Sequence, residues 1–473
     1  MDIDSFRAEA HRLVDRMADY LQTVEDRPVR ARTRPGAVAA MLPASPPEAG
    51  ESMRAILDDV ERIVVPGLTH WQHPRFMAYF PSNSSPPSIL AEMLTATFAA
   101  QCMLWQTSPA GTELETVALD WLRQLIGIPE GFAGVIQDTA SSATLCAILT
   151  AREKATDWRS DKEGLVASPL LAVYASDQAH SSVEKAVRIA GLGRNALHLI
   201  PSDDAWRMRP DLLEQAILAD RAAGRIPACI VASIGTTGVG AADPLRPIGE
   251  IARRHGVHLH VDAAWAGSAL ICPEHRWMID GIEHADSLVM NPHKWLLTNF
   301  DCTAYFVRDP DSLVRTLTVM PAYLVGQETG RVIDYRDWGI QLGRRFRALK
   351  LWFVLRSYGA EALRSMIRDH VGWTAELAAW IGAAPDFELT SGPNLALLSF
   401  RYRPPGIPET DLDALNERLL TAINDDGRTY LTQNRLGGRY VIRVSIGART
   451  TEHRHVAEVW EVIQELARNL RPA

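Results

Sequence analysis

The sequence has 473 residues, of which 47% are hydrophobic and 22% are charged, and its formal net charge is −8. This length predicts two or three packed subdomains with enough core to bury a small-molecule site. The negative charge argues against nucleic acid or an anionic membrane as the main partner, because both select for basic surfaces.

The cysteine and histidine patterns disfavour metals and disulfides. The five cysteines form no CxxC pair, and none of the 14 histidines has HExxH spacing. We therefore expect no metal site and no disulfide framework. The acidic start of the chain, Met1–Asp4, lacks the apolar segment of a signal peptide, and we expect a cytoplasmic protein with free thiols.

Residues 1–84 are predicted to form an N-terminal helical segment. Residues 5–23 and 53–64 each place apolar side chains on one helical face, and a proline-rich stretch around Pro43 and Pro46 joins them. Two such helices have no core of their own. Each must bury its apolar face elsewhere, on the same chain or on a partner subunit.

Residues 85–360 show short apolar runs that alternate with helical stretches such as Asp211–Ala223 and Leu245–Arg254. This alternation predicts an α/β domain with a mostly parallel sheet covered on both faces. Ligands of such sheets bind at the carboxyl ends of the strands. The predicted buried strands are Leu170–Tyr174, Ala228–Ser233, Val257–Val261 and Ser287–Met290.

Residues 361–473 are predicted to form a smaller α+β domain. Leu395–Tyr402 and Tyr440–Ile446 have the pattern of strands, and Val456–Leu470 has the pattern of a closing helix.

Lys294 is the first candidate for chemistry. The segment Asn291–Trp295 follows the predicted strand Ser287–Met290, which puts the lysine at a carboxyl edge where a ligand would bind. Desolvation beside Trp295 would lower the pKa of its amine and favour Schiff-base formation. Taken alone, the residue is more often an exposed lysine in a loop.

Asp262 ends another apolar strand and is followed by small residues. A buried carboxylate is costly unless a positive group meets it, and a protonated pyridine nitrogen is such a group. A helix N-cap explains an aspartate at this position equally well.

Two further segments could contact a planar, phosphorylated cofactor. The small and hydroxylated residues Gln137–Ala143 precede the helical pattern of Thr144–Lys154 and could bind an anion, while Thr237 ends another strand. His180 follows the strand Leu170–Tyr174 and could stack on a ring. Ordinary capped helix starts explain each segment by itself.

These four points, near residues 140, 180, 262 and 294, each follow a predicted strand. A parallel sheet brings such ends to one edge. An anion site, a stacking group, an acid and a lysine together match the needs of pyridoxal phosphate (PLP).

Long collinear stretches resemble the group II PLP-dependent decarboxylases, and within them the aromatic-L-amino-acid decarboxylases, from about His70 onwards. The resemblance implies the fold-type I, aspartate aminotransferase-like α/β fold. It also implies a homodimer whose N-terminal helices clasp the partner and whose active site lies at the subunit interface. The matching stretches are His70-Trp71, Ala78–Pro81, Ser108–Glu115, Val261–Pro273, Asn291–Asp301 and Gly343–Arg347.

The resemblance implies roles for individual residues. Lys294 would bind the cofactor covalently, Asp262 would pair with its pyridine nitrogen, and His180 would stack on its ring. The sequence departs from familiar relatives at Met103, where animal members tend to have an aromatic residue, and mildly at Thr139, where serine is familiar. Further implied cofactor contacts are Thr139, Ala140, Ser141, Thr237, Ala264, Ser287, Asn291 and His293, and implied substrate contacts are Trp71, Tyr79, Pro81, Ser82 and Met103.

The activity implied is decarboxylation of an aromatic L-amino acid to its amine. Tyr323 matches the loop tyrosine that protonates Cα, and relatives with phenylalanine there resemble aromatic acetaldehyde synthases. Gly343 matches a glycine that accompanies indolic substrates in plant relatives, which favours tryptophan and leaves tyrosine, dopa, 5-hydroxytryptophan and phenylalanine open. The alternatives are an oxygen-consuming aldehyde synthase and a catalytically silent dimeric scaffold.

Overall fold

The computed structural model describes residues 1–319 and 330–470. The chain forms two compact units, one of Ser82–Gly372 and the other of Met1–Pro81 with Trp373–Ala473. The predicted segments 1–84 and 361–473 therefore fall largely in one unit.

The helices and strands alternate through the middle of the chain. The α-helices are α1 (Ile3–Thr23), α2 (Ala37–Met41), α3 (Met53–Asp59), α4 (Pro86–Phe98), α5 (Pro109–Ile126), α6 (Ala140–Ala155), α7 (Ser160–Glu163), α8 (Ser182–Ile189), α9 (Pro210–Ala222), α10 (Leu245–His255), α11 (Pro292–Trp295), α12 (Pro310–Leu317), α13 (Ala348–Ala383, interrupted at Gly359), α14 (Glu409–Asp426) and α15 (His453–Asn469). The strands are β1 (Ala133–Gln137), β2 (Leu171–Ser176), β3 (Leu197–Ile200), β4 (Ile226–Ser233), β5 (His258–Asp262), β6 (Ser287–Met290), β7 (Thr303–Val307), β8 (Phe387–Asn394), β9 (Leu397–Tyr402), β10 (Thr432–Leu436) and β11 (Arg439–Ser445).

The unit Ser82–Gly372 contains a seven-stranded sheet in the order β1-β7-β6-β5-β4-β2-β3. Strand β7 runs antiparallel to both of its neighbours, and the other pairings are parallel. Strands β2 and β6 are buried along their whole length, as their continuous apolar sequences require. The predicted α/β fold with a mostly parallel sheet is confirmed.

The register of the sheet brings several strand ends to one edge. Asp262 at the end of β5 pairs with Ser233 at the end of β4 and with Val289 in β6. Helix α6 packs across this sheet, because its small residues Ala143 and Ala147 allow close approach to Val289 and Tyr305. The carboxyl ends of the strands and the amino end of α6 therefore frame one site.

The other unit is built on an antiparallel sheet in the order β10-β11-β9-β8. Residues near the N-terminus join it, since the amide of Met77 donates to the Tyr430 carbonyl at 3.1 Å and the amide of Ser445 donates to the Met77 carbonyl at 3.0 Å. In contrast, α1 and α3 bury no residue, and Phe6 remains 55% exposed. Residues 1–319 and 330–470 do not bury the apolar faces of these two helices.

Within residues 1–319 and 330–470, no helix is both long enough and apolar enough to cross a membrane. The same residues contain no cluster of histidine, cysteine, aspartate and glutamate suited to a metal ion. All five cysteines are buried free thiols.

Candidate active site

Lys294 lies in the single helical turn α11, directly after β6. Its amide donates to the Asn291 carbonyl at 2.9 Å, which closes the turn. The neighbours Pro292, His293 and Trp295 are buried while Lys294 is half-buried. The turn therefore anchors itself in the core and leaves the lysine at the sheet edge, where the sequence predicted it.

Asn83 fixes the same turn from outside. Its side-chain amide donates to the Lys294 carbonyl at 2.6 Å, and its backbone amide donates to the His293 carbonyl at 3.1 Å. Neither contact follows from local sequence, because the partners are more than 200 positions apart.

Asp262 ends β5 and is only 8% exposed. One carboxylate oxygen accepts a hydrogen bond of 3.0 Å from the amide of Ala264. A carboxylate buried to this extent requires a positive partner, since leaving it uncompensated is costly.

His180 lies within electrostatic reach of both residues. Burial lowers the pKa of its imidazole, the charge of Asp262 raises that pKa, and the charges of Lys294 and Lys185 lower it. The ring Nδ1 lies 2.8 Å from the hydroxyl of Ser182, which fixes its orientation. The residue as a whole nevertheless remains exposed at the edge, so its ring is only partly desolvated. The three residues thus face a common space, with an open ring, an acid and an amine.

The amino end of α6 offers hydrogen-bond donors beside this space. The helix begins at Ala140, earlier than the predicted Thr144, and its N-cap Thr139 makes no side-chain capping bond. The amides of Ser142 and Ala143 both turn back to the Thr139 carbonyl. The amides of Ala140 and Ser141 thus head a 16-residue helix, the arrangement that binds a phosphate.

Asn291 is buried next to that helix end. Its side-chain oxygen lies 2.9 Å from the Thr303 hydroxyl, which in turn lies 3.1 Å from the Asp138 carbonyl. Because the amide oxygen is engaged, the remaining donor of Asn291 is its NH2 group. Asn291 therefore adds a donor suited to an anion, and Thr303 orients it.

Ala264 and Thr237 also lie at this edge, after β5 and β4. The Ala264 carbonyl accepts from the Asn291 amide at 2.9 Å, which ties the two loops together. Thr237 is exposed, whereas its neighbour Thr236 is buried and accepts a bond of 3.0 Å from the Ala241 amide.

Two predicted cofactor contacts are engaged within the protein. His293 Nδ1 accepts from the Cys302 amide at 3.0 Å, and burial lowers the pKa of this imidazole to about 3. Ser287 is fully buried, with its hydroxyl 2.9 Å from His260 Nδ1. Because Ser287 pairs with His260, two residues before Asp262 along β5, the structure does not bring it to the edge that carries Lys294.

The described residues at this edge fit pyridoxal phosphate. An uncapped helix end and the Asn291 amide suit its phosphate, and the buried Asp262 carboxylate suits a protonated ring nitrogen. His180 leaves an open ring for stacking, and Lys294 supplies the amine.

Met103 and Gly343, two predicted substrate residues, lie on adjoining segments. The Cys102 amide donates to the Arg344 carbonyl at 2.9 Å, and the Arg344 amide donates to the Gln101 side chain at 2.5 Å. A Cβ added at Gly343 would lie 3.4 Å from the Gln101 amide nitrogen, so a small side chain fits there. Ser82 begins the same unit and is half-buried.

Trp71, Tyr79 and Pro81 belong to the other unit, where the first two form an aromatic stack. Their ring centroids are 5.7 Å apart at 18°, and the Tyr79 hydroxyl lies 3.3 Å from that of Tyr430. Tyr79 has a φ of +50°, an uncommon conformation for a bulky residue. Arg443 stabilises it by donating to its carbonyl at 2.5 Å. Pro81, two residues after Tyr79 along the chain, is buried.

Tyr323 lies outside the described residues, and its role stays a prediction. The residues that the sequence did not reveal are mainly supports: Asn83, Thr303, Arg443 and His370, whose Nδ1 accepts from the Trp295 indole N–H at 2.9 Å. Their contacts join distant parts of the chain, and the only local indication was Asn83, which follows the matched stretch Ala78–Pro81.

Comparison with known proteins agrees with this geometry. Residues 35–403 match the family model of the pyridoxal-dependent decarboxylase conserved domain. The chain is 44% identical to phenylacetaldehyde synthase of Arabidopsis thaliana (99% of this chain, 96% of that protein) and 41% identical to tyrosine decarboxylase 3 of Petroselinum crispum (99% and 92%).

A solved structure gives the same result for the fold. Tryptophan decarboxylase of Catharanthus roseus in complex with L-tryptophan superposes with a TM-score of 0.94 at 39% identity, over 100% of this chain and 99% of that one. The predicted fold-type I architecture and PLP dependence are confirmed. The chain belongs to the group II PLP-dependent decarboxylases, in the family of aromatic amino acid decarboxylases.

Proposed function

We propose that this chain decarboxylates aromatic L-amino acids to the corresponding amines and CO2, with tryptophan as the favoured substrate. The observation that carries the proposal is the meeting of His180, Asp262 and Lys294 at one sheet edge, in a chain whose family is defined by PLP-dependent decarboxylation. A silent scaffold would have no reason to keep a buried carboxylate beside an amine and an open imidazole.

The residues at the carboxyl edge of the sheet would form the cofactor site. Lys294 would hold PLP covalently, and the amides of Ala140 and Ser141 with the Asn291 side chain would hold its phosphate. The Asp262 carboxylate would keep a proton on the ring nitrogen, and His180 would cover one face of the ring. When bound, PLP supplies a conjugated ring that accepts the electron pair of the breaking bond.

The remaining steps fall to side chains that orient the substrate and move protons. Side chains of the site would orient the substrate so that its carboxylate can leave, and Trp71 and Tyr79 would contact the substrate, as the family resemblance implies. Loss of CO2 leaves Cα in need of one proton. Tyr323 would donate it, and the amine product then leaves.

The tryptophan preference rests on Gly343. The absence of a side chain there leaves space for the larger indole ring, and Met103 adds a flexible wall that tolerates different ring shapes. The relatives include proteins named for tyrosine and for tryptophan, so the support for this finer choice comes from these two positions.

The proposed enzyme is a homodimer whose N-terminal helices cover the partner. In support, α1 and α3 bury no residue, although both carry an apolar face. Exposed apolar surface of this kind marks an association site. Sedimentation at micromolar concentration, compared with a chain lacking residues 1–23, tests this assembly.

A panel of decarboxylation rates tests the substrate. Purified, PLP-loaded protein is given L-tryptophan, L-tyrosine, L-dopa, L-phenylalanine and L-5-hydroxytryptophan, and CO2 release is measured for each. We expect the highest kcat/KM with an indolic substrate. Activity confined to tyrosine or dopa would defeat the tryptophan preference, and absence of activity on all five would defeat the proposed function.

The second candidate is an aromatic aldehyde synthase, which consumes oxygen and releases aldehyde, ammonia, CO2 and peroxide. The 44% identity to a phenylacetaldehyde synthase favours it. Tyrosine at position 323 favours the amine instead, because it supplies the proton that competes with attack by oxygen.

A further inference from the structure

A cavity lies at the edge of the parallel sheet opposite the candidate active site. It has a volume of about 680 Å³ and is bordered by the amino ends of β4 and β5. Strand β5 runs from His258 in this cavity to Asp262 in the candidate active site, about 13 Å away along the strand. Helix α6 likewise runs from the cofactor end to Lys154, which lines the cavity.

His258 is the unusual residue of this cavity. Its side chain is 8% exposed, and neither ring nitrogen has a hydrogen-bond partner within the described part of the chain. The nearest opposite charge is Asp286, with Oδ2 at 3.7 Å from His258 Nδ1. Buried polar groups are nearly always hydrogen bonded, so a ligand or water must satisfy this ring.

His260, on the same strand, differs from His258 in having hydrogen-bond partners. Both residues point to the same face of β5, because side chains alternate along a strand. His260 is satisfied, with Ser287 at 2.9 Å and Thr144 at 3.3 Å. Burial lowers the pKa of His258, so its ring is neutral at pH 7 and presents one donor and one acceptor to the cavity.

Basic side chains outnumber acidic ones around the cavity. Four cations, Lys154, Arg221, Arg253 and Arg308, face two carboxylates, those of Glu283 and Asp286. The chain as a whole carries a net charge of −8, so this local excess of positive charge is opposite in sign to the chain.

Helix capping accounts for part of this charge. Arg221 donates to the His255 carbonyl at 2.5 Å, and Arg308 donates to the Ala285 carbonyl at 2.9 Å. Such contacts neutralise the carboxyl ends of helices and need no ligand. They do not account for His258.

Arg253, an exposed residue in the last turn of α10, also lines the cavity. Its guanidinium makes no hydrogen bond or ion pair with residues 1–319 or 330–470, whereas the adjacent Arg254 pairs with Glu214. Lys154 has a distant partner, Asp309 at 3.5 Å. Two cations and a neutral imidazole from three different elements therefore converge on one space.

We propose that this cavity binds a small organic anion through a carboxylate or phosphate group. Arg253 and Lys154 take up the charge of that group, and His258 donates a hydrogen bond to it. The aliphatic walls formed by Ile226 and Val257 accommodate the organic part of the ligand.

The test is calorimetric titration of the PLP-saturated enzyme with isobutyrate and, separately, with inorganic phosphate. Saturation with PLP fills the phosphate-binding end of α6, so that phosphate does not bind there. We expect saturable binding of at least one anion, and the tighter of the two identifies the preferred group. Failure of both anions to bind would overturn the proposal.

Variants locate the binding. Arg253→Gln should weaken it at least tenfold, while Arg254→Gln, the matched change on the same helix, should leave it unchanged. His258→Phe keeps the ring volume, and it should abolish the rise in Tm that the anion gives the wild type. Equal affinity of the Arg253→Gln and Arg254→Gln proteins would place the anion elsewhere and overturn the assignment.

Discussion

The side-chain amide of Asn83 donates a hydrogen bond of 2.6 Å to the main-chain carbonyl of Lys294. A second bond joins the Asn83 amide to the His293 carbonyl at 3.1 Å. Asn83 therefore fixes the turn that presents the candidate cofactor lysine.

Asn83→Leu should weaken PLP binding. The change keeps the branched shape of the side chain but leaves the partly buried Lys294 carbonyl without its donor, at a cost of about 1–3 kcal/mol. If most of that cost falls on the turn, PLP affinity drops about tenfold or more. The measurement is titration of the apoprotein with PLP, followed by visible absorbance.

Ser85→Ala is the matched control for Asn83→Leu. Ser85 donates to the Leu297 carbonyl at 2.7 Å, so this variant also loses one buried bond, but not at Lys294. Both variants should lose stability to urea, and only Asn83→Leu should lose PLP affinity. Equal PLP affinity in the two variants would rule out the positioning role.

The pH dependence of activity should report His180. Burial, Lys294 and Lys185 lower the pKa of its imidazole below the ordinary value of 6.5, against the opposing effect of Asp262. The ring is then neutral at pH 7, and kcat/KM should fall only as the pH drops below about 6.5. Stability should fall over the same range, because the unfolded chain binds the proton first.

Lys185→Gln should move the acid limb of this profile to higher pH. Lys185 is exposed, and removing its charge raises the pKa of His180. Arg188→Gln, on the same helix α8, changes charge equally without acting on His180 and serves as the control. If the acid limb of the kcat/KM profile does not move in Lys185→Gln, or moves equally in Lys185→Gln and Arg188→Gln, then His180 does not determine that limb.

Gly343→Ser should shift the substrate preference from indolic towards phenolic rings. The added Cβ lies at an ordinary contact distance of 3.4 Å from Gln101, so folding should be unaffected and the effect should fall on the substrate. The ratio of kcat/KM for tryptophan to that for tyrosine measures the change. A ratio unchanged from wild type, with unchanged Tm, would remove Gly343 from the specificity site.

His370 should support the turn of Lys294 through Trp295. The indole N–H of Trp295 donates to His370 Nδ1 at 2.9 Å, and Trp295 stacks on Trp265 at 5.1 Å. Burial lowers the pKa of His370 to about 3, so its nitrogen remains an acceptor at neutral pH. His370→Leu should cost about 1–3 kcal/mol of unfolding free energy, and His370→Gln, which keeps an acceptor, should cost less. If urea unfolding shows His370→Gln to be less stable than His370→Leu, the supporting role of the His370 acceptor is wrong.

Much of the site followed from the sequence because its parts lie directly after apolar strands. Strand β6 has the predicted bounds Ser287–Met290, so the position of Lys294 at its end was also predicted. The edge formed by β4, β5 and β6 brings Asp262 and Lys294 to one side, as expected for parallel strands. The positions of the strand ends are therefore predictable from the hydrophobic pattern, whereas the roles of Lys294 and Asp262 came from the family resemblance.

Other features depend on contacts that no local pattern encodes. The antiparallel direction of β7 was not predicted, since a short buried strand has the same composition in either direction. Ser287 was expected at the phosphate, but its hydroxyl faces His260. Ser287 pairs with His260 and not with the strand-end residue Asp262, so it lies inside the sheet and away from the edge. Support by Asn83 and His370 spans 211 and 75 positions of sequence and requires the folded chain.

Tyr323→Phe should convert the product. Without the phenolic proton, oxygen has time to attack before Cα is protonated, so amine yield should fall while aldehyde and peroxide rise. Chromatography of the products, with peroxide measured in parallel, checks the outcome. Unchanged amine formation at the wild-type rate would remove Tyr323 from the proton-transfer step.

The most direct test of the proposed decarboxylation is the stoichiometry of the wild-type reaction. PLP-loaded protein is incubated with L-tryptophan in a closed vessel, and CO2, tryptamine, aldehyde and dissolved oxygen are measured together, with Lys294→Ala as the inactive control. We predict one tryptamine per CO2 with no oxygen uptake. Aldehyde formed in proportion to CO2 with matching loss of oxygen would contradict the account and establish the aldehyde synthase instead.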